Sequence, residues 1–169
     1  MEIPILVSPD DWDWLGDPPQ GGVIKLHGRQ TGGAMGMIEQ SLAPGRMIRP
    51  HVHDHDVWLF GLSGETSVRV ADQTVTAGPG SIVLKPRNVV HSIWNASSDP
   101  VRIMEIFTPA GFEQFMKEVS AKARAGTLTD DMFKDLCDRY GLRFFEDWPG
   151  EDGWVQKMTA QHNLNFGGN

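Results

Sequence analysis

The feature that most limits this chain is the cadence of its turn signals. Gly32-Gly33, Pro44-Gly45, Ser63-Gly64, Ala71-Asp72-Gln73, Gly78-Pro79-Gly80, Pro86 and the stretch 96–100 interrupt every apolar run across the first two thirds of the sequence. Between them lie short segments rich in Val, Ile, Thr and aromatic residues: 34–42, 51–62, 66–70, 74–76, 81–85, 89–95 and 101–108. Short strands broken by turn signals every 8–12 residues or so specify an antiparallel sandwich or barrel.

Near residue 109 the pattern changes. Phe112, Phe115, Met116, Val119 and Ala123 recur at helical spacing on one face, and Gly126 ends the run. Thr129 or Asp130 can cap a second helix with a face of Met132, Phe133, Leu136 and Tyr140, closed by Gly141. The expected organisation is an N-terminal arm with edge strands (1–32), a barrel core (33–110), two helices packed on the barrel (111–145) and a tail (146–169). Trp148 and Trp154 are candidate anchors for the tail, whose last few residues are expected to move.

A length of 169 residues suits one domain with a sizeable core. The net charge of −7 argues against nucleic-acid binding through a basic face and against docking on an anionic membrane. The single cysteine, Cys137, excludes an internal disulfide and a Cys-rich zinc module, and reads as a packed thiol in a reducing compartment. The opening MEIPILVSPDDWDWLGD has no basic region before its apolar stretch, unlike a signal peptide, and no apolar run approaches membrane-spanning length. A cytoplasmic protein is expected.

The chemistry concentrates in histidines. His51, His53 and His55 are spaced by two, which on a strand puts all three on one face, and His91 follows on a later strand. Imidazole is the commonest protein ligand for borderline divalent metals, and three of them leave open positions for substrate. Asp54 and Asp56 alternate with the triplet, so the same run also reads as a solvated polar loop.

The surrounding residues add a resemblance. Residues 45–64 read GRMIRPHVHDHDVWLFGLSG and residues 80–95 read GSIVLKPRNVVHSIWN. These resemble the two motifs of the cupin superfamily, G-x5-H-x-H-x3,4-E-x6-G and G-x5-P-x-G-x2-H-x3-N, separated by 15 residues as in microbial single-domain cupins. The stretch IFTPAGFEQFMKEV (106–119) resembles the exit from barrel to helix in quercetinase-like cupins. The resemblance implies an all-β fold, an antiparallel double-stranded β-helix (the cupin jelly-roll barrel) with two C-terminal helices, and a metal held by His51, His53 and His91. Two positions depart from it. Asn88 replaces a motif glycine, a mild change because Asn tolerates a left-handed turn. Val57 replaces the motif glutamate and cannot bind a metal.

Three neutral imidazoles leave a divalent ion its full charge, which favours an anionic, chelating substrate. Cupins with three histidines and no glutamate that cleave β-diketones hold ferrous iron and use dioxygen. The leading expectation is therefore a non-haem Fe(II) dioxygenase for a small enolisable or anionic substrate. A lyase or isomerase using Zn, Ni or Mn as a Lewis acid, and a non-catalytic small-molecule-binding cupin, are the alternatives. His55 reads as a fourth ligand, an outer group or a rim histidine. Glu105 reads as a pocket general base or an outward residue, because Ile103, Glu105 and Phe107 share one face of their strand and Arg102, Met104 and Ile106 the other. Arg49 and Arg87 read as substrate-carboxylate holders or surface arginines, and Glu39 or Gln40 as pocket candidates. Met35, Met37, Ile38, Phe60, Ile93 and Met104 are expected in the core, His27 and His162 at the surface. Trp94 is off-phase from His91, and outward Val52 and Trp58 suggest a homodimer.

Overall fold

A computed structural model describes residues 6–16 and 22–166; the last three residues of the tail expected to move lie outside them, as do the first five of the chain. The described strands are β1 (Asp13–Trp14), β2 (Val23–Leu26), β3 (Gly36–Leu42), β4 (Met47–Val52), β5 (Asp56–Ser63), β6 (Thr66–Val70), β7 (Gln73–Ala77), β8 (Ile82–Lys85), β9 (His91–Trp94), β10 (Val101–Thr108) and β11 (Arg143–Phe144). The helices are α1 (Phe112–Arg124), α2 (Asp130–Arg139) and α3 (Trp154–His162). The strands form two sheets, ordered β1-β2-β3-β10-β5-β8 and β11-β4-β9-β6-β7, with every paired neighbour antiparallel. This is the expected all-β jelly roll.

Alternation along the strands fills the space between the sheets. Leu42, Leu59, Val68, Ala77, Ile93, Val101 and Ile103 make one inner cluster. Ile24, Ile38, Val57 and Phe107 make another, which continues into Phe112, Phe115, Leu136 and Cys137 of the helices. Burying these apolar side chains is the main favourable term, on the order of 1.5–3 kcal/mol for each large one. Met37, Phe60 and Met104 were expected in this core but are half-buried, in the phase opposite to Ile38, Leu59 and Ile103; only Ile38 and Ile93 of the expected set are fully buried. β3, β5 and β10 carry apolar residues in both phases, so hydrophobicity alone does not select the inner face.

The outer faces of the two sheets differ. On the second, Met47 and Trp94 are covered by Trp148, Trp154 and Leu164 of the tail, and α3 starts at Trp154. The tail thus contributes a third helix beyond the two expected, anchored by both tryptophans. On the first, Trp58, Leu62, Ile82 and Leu84 stay exposed, Trp58 at 42%. α2 is capped by Thr129, whose hydroxyl accepts from the Met132 amide, and Gly141 follows it at φ +63°. Met132 itself is exposed, so the buried face of α2 is Leu136 and Cys137 with Phe133 half-buried.

Candidate metal centre

β4 and β9 build the site together. Ile48 pairs with Ile93, the register then slips, and His51 faces His91. The slip returns His51 to the inner face three residues after inward Ile48. His53 follows just beyond the end of β4 and keeps that face. The ring centroids lie 4.3 Å apart for His51–His91, 4.8 Å for His53–His91 and 5.7 Å for His51–His53. Their ligand atoms all fall within 4.8 Å of one another.

Backbone carbonyls orient each ring. Nδ1 of His51 lies 2.7 Å from the Arg49 carbonyl, that of His53 3.1 Å from the His55 carbonyl, and that of His91 2.9 Å from the Val89 carbonyl. A carbonyl can only accept, so each Nδ1 carries the hydrogen and each Nε2 presents a lone pair. Nε2 of His91 is buried without a hydrogen-bond partner. Three oriented lone pairs, one of them orphaned inside the protein, fit a divalent ion.

The electrostatics agree. Burial, reinforced by the charge of Lys85, holds His51 down to about 3. Burial likewise lowers His53 to about 2 and His91 well below the ordinary value of 6.5, with neighbouring imidazoles and Lys85 adding to it. All three are neutral at physiological pH, as ligands must be. The consequence for metal-free protein is a pH-dependent stability. In the unfolded chain each histidine protonates below about 6.5, whereas the folded one stays neutral. Stability is therefore complete above that value and falls as pH drops towards 3, by up to about 1.4 kcal/mol per pH unit for each histidine. Urea midpoints of chelator-treated protein should be level from pH 7.5 to about 6.5 and fall progressively from there to pH 4; a profile flat throughout would refute the buried, neutral trio.

A cavity of about 710 Å³ opens beside the trio. His51, Lys85, Glu105 and Gln40 form its polar end, and α1, α2 and β11 supply apolar walls. Glu105 is buried and points inward; it pairs with Lys85 and accepts from the Gln40 side chain at 2.5 Å.

Residues 38–107 match the family model described as a cupin domain. Over that span the barrel is similar to a cupin domain. KdgF from Halomonas sp. is similar over 64% of this chain and 97% of its own, at 18% identity and a TM-score of 0.54, a likeness of fold. TT1209 from Thermus thermophilus matches over 62% of this chain and 89% of its own, at 22% identity and a TM-score of 0.47. No curated protein matches the sequence.

The positions that resemble the two motifs now have physical roles. Asn88 sits at φ +60°, the left-handed turn that its motif glycine would occupy, and its amide donates to the His53 carbonyl at 2.8 Å. Asn95 is buried and donates to the carbonyls of Leu42 and Asp99, tying the turn before β10. Val57, at the glutamate position, is fully buried in the apolar core, and its cross-strand partner is Lys85.

Several expectations need correction. His55 does not share the face of His51 and His53, because the strand ends first and His55 lies in the turn. It is buried rather than at a solvated rim, with Nδ1 2.9 Å from Asp54, stands outside the trio, and supports His53 through its carbonyl, as the outer-group reading has it. Of its two readings Arg87 takes that of a surface arginine, bound to Asp56 by guanidinium contacts of 2.7 and 3.1 Å and a backbone bond of 2.8 Å. Glu39 faces outward to Lys25 and Arg102, leaving Gln40 as the pocket residue. Arg49 reaches the cavity rim, paired with Glu146 at 3.0 Å. His27 is not a surface residue: only 1% exposed, it has Nε2 3.0 Å from Asp13, and burial lowers its pKa. His162 is half-buried. Lys85 escaped the sequence reading altogether; the available signal was its inward phase with Val83 in SIVLKP.

Proposed function

We propose that this cupin binds a divalent metal through His51, His53 and His91 and acts as a non-haem Fe(II) dioxygenase on a small enolisable or anionic organic substrate. The observation that carries this reading is a ligand trio of neutral imidazoles with no carboxylate in the cluster. Ferrous iron in such a site supplies electrons to dioxygen and Lewis acidity to a chelating oxyanion. The chain's own residues do the rest. The Arg49, His55 and Val89 carbonyls fix the imidazoles before metal or substrate arrives. Val57, Phe107 and Phe112 keep water from one side; the last two stack with centroids 4.5 Å apart, and Phe112 lies 5.2 Å from His53. Gln40 and Lys85 bind Glu105 and so keep that end of the cavity in shape.

That Lys85–Glu105 pair favours a second reading, a non-redox lyase or isomerase. An acid and a base together at the polar end of the cavity can move a proton on the substrate while Zn, Ni or Mn acts as Lewis acid. Oxygen consumption separates the two. Protein purified without added metal and then loaded anaerobically with Fe(II) is expected to consume oxygen with enolisable 1,3-dicarbonyl anions and to lose that activity with zinc. Turnover that proceeds without oxygen and accepts zinc would select the lyase or isomerase.

A further inference from the structure

The same cavity carries information about the substrate's other end. Aromatic rings follow one another from His51: Phe144 lies 5.3 Å from it, Phe133 5.8 Å from Phe144, and Phe115 6.2 Å from Phe133. Met116 and Val119 of α1 complete this wall, both at helical spacing from Phe112 and Phe115. Phe133, Phe144, Met116 and Val119 are only half-buried, and the surface they leave uncovered lines the cavity. Gln40, Lys85 and Glu105 line the cavity together with His51, the charged groups of Arg49, Glu146 and Asp130 also border it, and its volume of about 710 Å³ falls within the roughly 300–1,000 Å³ of pockets that enclose ligands larger than a few heavy atoms. A substrate of acetate or pyruvate size fills the polar end alone and leaves the aromatic wall against water, an arrangement that apolar surface disfavours.

We infer that the substrate is an anion with an aryl-sized apolar body: the oxyanion sits at the histidine end and the body lies along the wall that α1, α2 and β11 build over the barrel. The inference rests on the reading of the trio as the reacting end, and it makes the helices, outside the matched cupin domain, the specificity element. Two 2-oxo acids with the same chelating head test it: 4-phenyl-2-oxobutanoate and pyruvate. Calorimetry is performed on zinc-loaded protein under argon, so that binding is read without turnover. The phenyl compound is expected to bind at least tenfold more tightly. Met116→Trp, which fills the wall side of the cavity, is expected to reduce that ratio below threefold, with zinc content reporting that the site still forms. Met132→Ala, on the exposed side of α2, keeps the wild-type ratio. Equal affinities, binding of neither acid, or a ratio untouched by both Met116→Trp and Val119→Trp would overturn the inference. A failure of oxygen consumption with iron would count against the dioxygenase alone and leave this ratio standing.

Discussion

His91→Ala protein is expected to purify without metal, whereas the wild type carries close to one divalent ion per chain. His91 is the ring nearest both others, at 4.3 and 4.8 Å, while His51 and His53 are 5.7 Å apart. Within the trio, its Nε2 is a buried atom without a hydrogen-bond partner. Among the described residues no further side chain joins the cluster to replace it. The motif carboxylate is Val57, and Glu105 is engaged by Lys85 and Gln40. The loss in affinity should therefore exceed the roughly 10–100-fold that follows from removing an outer-shell partner. Plasma mass spectrometry beside a thermal melt measures both metal and fold. Retention of stoichiometric metal in a folded His91→Ala protein would remove the trio as the site. His55→Ala supplies the contrast. Its side chain lies outside the cluster and its carbonyl survives the substitution, so metal content should stay at the wild-type level. Loss of metal in that variant would make His55 a ligand.

What the sequence disclosed, and what it withheld, follows from how local each feature is. The histidine trio was legible because one strand's alternation and one motif spacing determine it. Asn88 was legible for the same reason: a single left-handed position admits few residue types. Strand phase was not legible in DVWLFGLS or VRIMEIFT, where both faces are apolar; the sheet pairing of Met104 with Phe60 puts them together on the outer face. His27 read as a surface residue because the groups around it, Asp13 and Gln114, come from distant parts of the chain. The end of β4 before His55 depended on a turn with no Gly or Pro to mark it. Lys85 was hidden for a chemical reason. A lysine next to a proline at a strand end is ordinarily solvated, and only its partner twenty residues away makes an inward position tolerable.

That partnership predicts the largest stability effect outside the metal ligands. Both side chains are nearly inaccessible, 3% for Lys85 and 4% for Glu105. Removing one member leaves the other charge buried and unpaired, which costs about 3–5 kcal/mol. Glu105→Leu alone and Lys85→Met alone should each lower the melting temperature of a 169-residue protein by roughly 6–20 °C, taking about 2–4 °C per kcal/mol. The double variant should regain most of that loss, because two apolar side chains of similar volume remove both desolvated charges at once. Losses that are small and additive would mean that the two charges are not coupled. Turnover in the double variant then separates the two functional readings. Under the dioxygenase reading the pair shapes and stabilises the cavity, so activity returns together with stability. Under the lyase or isomerase reading the pair moves the proton, so stability returns and activity does not.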